Sequence, residues 1–264
     1  AMSSTLFLYL VGAIFGAIVG SFLNVVILRL PDPDQSIVFP GSHCPQCNTP
    51  LAWFENIPIF SYLVLRGRCR HCRATISPQY PLVEALTAAI AMALLARFQL
   101  TFLAAALLVF AAALVVVIVI DIRLQIIPDL ISLPGIVLGV LVSLIGGVVS
   151  WQSSLIGLFA GGGVLYGLAL GYALLRKVEG MGGGDIKLLA MIGAWLGWQS
   201  LPFVILVSSL SGSLVGIIAM LQQKKGGQTR IPFGPFLSLA ALLYVFFLDQ
   251  VQEFYTLYLS GQWP

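Results

Sequence analysis

The sequence predicts an all-α polytopic membrane protein of about eight transmembrane helices, with one cytosolic loop between the first two. Three observations carry that prediction. Hydrophobic residues make up 59% of the 264-residue chain and charged residues only 9%, enough apolar length for several spans of roughly 20 residues each. The apolar residues come in long charge-free runs. When those runs are threaded alternately through a bilayer, the basic residues gather on one side.

The first run, Thr5 to Leu28, has no basic segment before it and is too long for a cleavable signal, so it reads as a membrane helix. A polar loop follows from Arg29 to about Tyr80. The next run, from about Pro81 to Ala96, is interrupted by Glu84, and Phe98 to Ile120 has no interruption. Leu130 to Leu175 is long enough for two helices turning near Gly146 to Ser154. Leu188 to Gln223 holds two shorter ones turning near Trp198 to Pro202, and Ile231 to Leu248 is the last. With the N-terminus outside, alternation puts Arg29, Arg66, Arg68, Arg70, Arg73, Arg123, Arg176, Lys177, Lys187, Lys224, Lys225 and Arg230 on the cytoplasmic side. Only Arg97 of the 13 basic residues falls outside, which is the positive-inside pattern. The tail with Asp249 and Glu253 is then also outside. The net charge of +3 is accounted for by topology and does not imply nucleic acid as a partner; the lipid bilayer is the partner that composition demands.

Because charge is scarce in these runs, acids at their edges carry information. Asp121 ends the run Phe98 to Ile120, and Asp185 stands behind Gly182-Gly183-Gly184 and ahead of the next apolar run. An ionised group at or inside the bilayer edge costs about 2.5 to 3.5 kcal/mol on insertion scales, so its presence points to a task. By the alternation above, Asp121 ends an inward-running helix and Asp185 begins an outward-running one, so both sit at the cytoplasmic boundary. Asp129 competes for the second place, but it lies about 12 Å beyond Asp121 if the segment is helical at 1.5 Å per residue. Ile127-Pro128-Asp129 also reads as a helix restart, with proline in the first turn and an acid at the positive end of the dipole. Asp185 opens a helix too, yet capping does not account for three preceding glycines. Residues without Cβ allow close approach and unusual φ, as a loop accepting an extended peptide requires. Capping accounts even less well for Asp121, which ends a helix where its charge opposes the dipole.

The polar loop carries all four cysteines, as Cys44-Pro45-Gln46-Cys47 and Cys69-Arg70-His71-Cys72. Two such pairs on a cytosolic loop predict a tetrahedral four-thiolate zinc site, since reducing conditions disfavour disulfides. Four thiolates leave no open coordination position, so the zinc is structural. A loop of this length would hardly fold alone without it. His43 and His71 flank the ligands and are not needed in the coordination sphere. Arg66, Arg68, Arg70 and Arg73 read as topogenic or headgroup contacts that could also hold an anion.

Taken in order, these residues resemble the bacterial type IV prepilin leader peptidases that also N-methylate their products, a family of GxGD-type intramembrane aspartic proteases. The resemblance runs from Gly20-Ser21-Phe22-Leu23-Asn24-Val25-Val26-Ile27-Leu28-Arg29-Leu30-Pro31 through the cysteine pairs, Glu55-Asn56-Ile57-Pro58, Leu65-Arg66-Gly67-Arg68-Cys69 and Tyr80-Pro81-Leu82-Val83-Glu84. It continues with Ile120-Asp121, Ile127-Pro128-Asp129 and Met181-Gly182-Gly183-Gly184-Asp185-Ile186-Lys187-Leu188. It implies an inner-membrane enzyme, with both termini periplasmic, that cuts prepilins and type II secretion pseudopilins after the glycine ending a short basic leader. The catalytic pair is then Asp121 and Asp185, supported by Gly182 and Gly184 of the active-site loop. Two close carboxyls in a poorly solvated site cannot both ionise, so one keeps a proton while its partner activates water. The sequence does not distinguish which.

The resemblance also implies methyl transfer from S-adenosylmethionine to the new amino terminus, usually of phenylalanine. The chain has no glycine-rich βαβ fingerprint, so a donor pocket would be built from the loop and adjacent helix ends, by residues the sequence leaves unassigned. Glu55 and Glu84 are expected to pair with nearby arginines, with a role toward substrate ammonium or methyl donor as the alternative. Gly161, Gly162 and Gly163 are expected to be small-residue helix contacts. Three parts follow: residues 1–28 as the first transmembrane helix, 29–80 as the zinc loop and methyltransferase part, and 81–264 as the transmembrane peptidase. The competing class is a proton- or ion-coupled transporter with a structural zinc loop, which predicts acids near the midplane and often an internal repeat.

Overall fold

The computed structural model describes residues 2–176, 182–223 and 231–260. Lys177, Lys224, Lys225 and Arg230, placed above on the cytoplasmic side, and Met181 of the glycine motif lie outside the described residues. Among those residues the chain is helical, with no strand and only two isolated β-bridges, both in the polar loop. It divides into two compact units, Ala1–Val116 and Val117–Pro264.

In the first unit, α1 (Met2–Arg29) packs along α3 (Gln79–Phe98), and short α2 (Phe60–Val64) lies in the loop between them. The α1–α3 contact is close because α1 turns Gly12, Gly16 and Gly20 toward α3. A Cβ at Gly16 would stand 2.7 Å from Ala88 Cα, and one at Gly20 2.7 Å from Glu84 Cα, the small-residue packing that lets membrane helices touch through their backbones. One turn on, buried Asn24 donates from Nδ2 to the Tyr80 carbonyl at 3.1 Å and to the Gly20 carbonyl at 3.2 Å. The segment Gly20 to Asn24 is thus the seam between the helices that bracket the loop.

Helix α4 (Phe102–Leu124) carries the most apolar span, at mean hydropathy 3.3, and its last turns belong to the second unit. There α5 (Asp129–Ile145), α6 (Trp151–Arg176), α7 (Gly183–Leu196), α8 (Ser200–Gln223), α9 (Gly234–Phe246) and α10 (Leu248–Ser260) follow in order. The centre of this unit is α7, buried at every residue from Leu188 to Leu196 and packed on both α5 and α6. At 1.5 Å per residue it is only about 21 Å long, short of a ~30 Å bilayer core. Close approach explains how it is enclosed. Gly157 of α6 and Gly193 of α7 leave no room for a Cβ on either helix, and a Cβ at Gly161 would stand 2.6 Å from the Leu189 carbonyl oxygen. Polar groups then close the seams: Ser154 Oγ donates to the Ala194 carbonyl at 2.6 Å and Trp195 Nε1 to the Gly135 carbonyl at 2.8 Å. Of the three consecutive glycines expected to be helix contacts, Gly161 and Gly162 face α7, while Gly163 faces open space.

The eight helices read from the six apolar runs are all present, but not all are equally long. By length and composition, five described helices qualify to cross a membrane: α1, α3, α4, α6 and α8. A sixth is added if α9 and α10, bent by 84° at their junction, form one broken span, and α5 is a shorter apolar helix. The outer helices face a non-aqueous medium. Only 11% of the α6 window and 17% of the α8 window is buried, at mean hydropathies of 1.7 and 2.3. Their exposed Phe159, Leu168, Leu174, Leu206, Leu210 and Leu214 form far more apolar surface than a soluble chain leaves to water. The tail contributes the amphipathic α10.

Candidate active site

The second unit brings its carboxylates together at helix ends. Asp121, in the last turn of α4, is 4% exposed. It accepts a hydrogen bond on Oδ2 from the Gly234 amide, 3.0 Å away. That amide opens α9, whose N-cap is Phe233, so it is one of the donors a helix start leaves unpaired. Asp185 sits in the first turn of α7, half-buried, close enough to Asp121 for the two charges to interact. Its Oδ1 is buried and has no hydrogen-bond partner among the described residues. The pair from distant parts of the sequence is therefore brought together.

Electrostatics separates the two acids. Asp121 faces the negative end of α4 and the positive end of α9, which largely offset, whereas Asp185 faces only the positive end of α7; each such term is about 0.3 to 1 kcal/mol. The direct amide bond to Asp121 is worth about 1.5 to 3 kcal/mol to a charged carboxylate, and Asp185 Oδ1 has no such donor among the described residues.

Asp129 is not part of this arrangement. It opens α5, as the sequence predicts, and its carboxylate receives Lys187 Nζ at 2.7 Å on both oxygens, with side chains 55% and 40% exposed. The pair ties the start of α5 to the start of α7. Ile127 completes the tie from the apolar side. A Cβ at Gly184 would stand 2.9 Å from Ile127 Cβ, and one at Gly234 3.0 Å from Ile127 Cδ1. The glycines before Asp185 do not serve the backbone conformation expected of them. Gly182 has φ −72° and ψ 143°, and neither Gly183 nor Gly184 has positive φ. What they provide is space, since a Cβ at Gly182 or Gly183 meets nothing within 4 Å. Sequence reasoning missed Gly234 and Ile127. The available signal was Pro232-Phe233-Gly234-Pro235, a glycine between prolines at the opening of a helix.

The candidate metal centre belongs to the first unit. The sulfurs of Cys44, Cys47, Cys69 and Cys72 all lie within 4.8 Å of one another, in thiols and not disulfides. Cys44 and Cys72 Sγ are 3.8 Å apart, and a tetrahedron with metal–sulfur bonds of about 2.3 Å has an edge of about 3.8 Å. The donor set therefore fits a metal ion. Two copies of one knuckle build it. The Cys44 amide donates to the Thr49 carbonyl at 3.0 Å and the Cys69 amide to the Ala74 carbonyl at 2.8 Å. Asn48 and Arg73 amides return to the Cys44 and Cys69 carbonyls at 2.9 and 3.0 Å. Asn48 and Arg73 are both left-handed, at φ 54° and 61°, and the bridges His43 to Pro50 and Arg68 to Thr75 close each copy. The repeat is one of hydrogen bonds, invisible in side chains as unlike as Asn48 and Arg73. The Thr49 hydroxyl holds the Cys47 thiol down at about 6. Cys72 is pushed up to about 11 although the Ala74 amide opposes the shift, because burial and the other three sulfurs disfavour its charge. A cation among the four would relieve that crowding.

Glu55 and Glu84 are not taken up by arginines as expected. Glu55 Oε2 accepts the Ala52 amide at 2.8 Å, and Glu84 Oε2 accepts the Ile59 amide at 2.7 Å. The second bond ties α3 to the N-cap of α2, where Ile59 has φ 61°. Arg70 lies over the Phe54 ring at 5.2 Å.

Comparisons with known proteins agree with the order of these features. The profile of the Bacterial Peptidase A24 N-terminal domain matches residues 14–98, and that of the type IV leader peptidase family matches residues 108–217. A prepilin leader peptidase/N-methyltransferase of Aeromonas hydrophila is 41% identical, over 92% of this chain and 91% of its own. Proteins of the same description from Pseudomonas aeruginosa (92% and 91% covered) and Burkholderia pseudomallei (89% and 84%) are each 38% identical. No solved structure matches the chain. With such identity sustained over nearly the whole of both sequences, the chain belongs to the type IV leader peptidase family.

Proposed function

We propose that this protein cleaves the leader peptides of type IV prepilins and type II secretion pseudopilins and then N-methylates the new amino terminus. The observation that carries the peptidase half is the meeting of Asp121 and Asp185 at helix ends beside an open glycine loop, in a member of a leader peptidase family. One acid, ionised, takes a proton from a water that attacks the scissile carbonyl. The other, protonated, passes its proton to the carbonyl oxygen and takes one back as the intermediate collapses, while the proton taken from water leaves with the amine. The space before Asp185 admits an extended backbone. A basic leader would stay outside the bilayer while the apolar helix of the substrate enters it, bringing the junction to the level of the acids.

On the same reading the protein lies in the bacterial inner membrane with its catalytic face cytoplasmic and both termini periplasmic, and all eight apolar helices count as spans. Residues 1–28 are the anchor, 29–80 a zinc-stabilised loop serving methyl transfer, and 81–264 the peptidase. Zinc held by Cys44, Cys47, Cys69 and Cys72 would supply folding free energy to the loop and no reaction step. S-adenosylmethionine is the methyl donor. Nothing in the described residues favours a coupled transporter. The test is incubation of the purified protein with a synthetic prepilin peptide and methyl donor, read by mass. A product cut after the leader glycine, and its methylated form, are expected. A peptide that stays intact with folded protein would refute the reading.

A further inference from the structure

We propose that Gly234 is a positioning residue for the aspartate pair: its backbone N–H fixes Asp121 as the charged member and leaves the shared proton on Asp185. The inference rests on the reading of Asp121 and Asp185 as the catalytic dyad, and it names which acid plays which part. The amide stands 3.0 Å from Asp121 Oδ2, buried from solvent. An amide nitrogen can only donate, so it stabilises a carboxylate oxygen that carries charge. As the first residue of α9, Gly234 also directs the positive end of that helix at the same oxygen. Asp185 has the opposite setting, with a buried Oδ1 that no group among the described residues donates to. A charge there would be uncompensated, while a proton removes the difficulty.

The position requires glycine for a steric reason. A Cβ would stand 2.6 Å from Asp121 Oδ2 and 3.0 Å from Ile127 Cδ1, so any side chain would push the carboxylate off the amide. The start of α9 has little freedom to yield, because Pro232 and Pro235 bracket it. The catalytic sequence follows. Asp121 takes the proton from water as oxygen attacks the carbonyl carbon, and the Asp185 proton passes to the carbonyl oxygen. Collapse of the tetrahedral intermediate then returns a proton to Asp185 and delivers the one on Asp121 to the leaving amine.

Other charged groups near the pair are constant in the comparison that tests this. They are Lys187 and Asp129, paired with each other across α7 and α5, and Arg123 on α4 itself. The described parts of α8 and α9 carry no Asp, Glu, Lys or Arg, and Tyr244 is the only titratable group in α9. The experiment is cleavage of a synthetic prepilin peptide by full-length Gly234→Ala in detergent, as a function of pH. Turnover should fall roughly 100-fold, the effect of displacing a catalytic group by about an ångström. The acid limb should move to higher pH, since loss of the amide bond makes Asp121 harder to ionise, by about 1 to 2 pH units. KM should hardly change. A folded Gly234→Ala enzyme with the wild-type rate and acid limb would overturn the proposal. Where the variant fails to fold, replacing the Phe233–Gly234 amide by an ester removes the N–H without adding bulk. The same limb shift is then expected, and its absence is refuting. Failure of the underlying dyad is distinguishable, because Asp121→Asn and Asp185→Asn would then both cleave at the wild-type rate.

Discussion

Asp129→Asn separates an acid that shapes the site from one that acts in it. Among the described residues the carboxylate of Asp129 has Lys187 as its ionic partner, at 2.7 Å, in a pair with side chains 55% and 40% exposed. Ion pairs with that much solvent contribute about 0.2 to 1 kcal/mol. If the whole of that contribution serves to hold the start of α7, and with it Asp185, the rate should fall by about 1.4- to 5-fold, since 1.4 kcal/mol is a factor of 10. The asparagine keeps the shape and can still accept from Lys187, so the lower figure is the closer expectation. In a detergent assay of peptide cleavage, raising the salt to about 1 M should bring the two proteins together, because screening at a Debye length of ~3 Å removes most of the attraction from the wild type. A loss of 100-fold or more, unchanged by salt, would instead make Asp129 a member of the catalytic pair.

Two further outcomes follow. Cys44→Ser should lower bound zinc from one ion per chain and impair methylation more than cleavage, as metal analysis and the two product masses would report, because Cys44 belongs to a loop whose folding depends on the metal; an active wild-type enzyme without metal would contradict this. Gly157→Ala puts a methyl group against the Gly193 backbone at the α6–α7 seam, so it should destabilise the second unit by about 1 to 3 kcal/mol in thermal unfolding; an unchanged midpoint would show that the helices part freely.

The helices and their approximate ends were legible because a bilayer imposes one rule on every span. Asp121, Asp185 and the cysteines could be singled out because they are chemically out of place: charge at the edge of apolar runs, and thiols in two evenly built pairs. What escaped reading depends on the backbone. Gly234 acts through an N–H that every residue but proline possesses, and its pairing with Asp121 crosses more than a hundred positions. Asn48 and Arg73 share a left-handed turn that their side chains do not announce. Glu84 looked like half of an ion pair, and no periodicity could have shown that the Ile59 amide is its donor. The glycines before Asp185 were noticed as room for a close approach and for unusual φ; none has positive φ, while Gly184 lies close against Ile127 and Gly182 and Gly183 border open space.

On the proposed reading, proteolysis depends on the paired aspartates while methyl transfer does not. The most direct measurement is mass analysis of two peptides, one with its leader and one already cut, incubated with Asp185→Asn and methyl donor. The first peptide should stay uncut, its cleavage reduced by several orders of magnitude, while the second is methylated at the wild-type rate, and adding Asp121→Asn should make cleavage little worse because the acids act as one unit. Cleavage of the first peptide at the wild-type rate would contradict that reading.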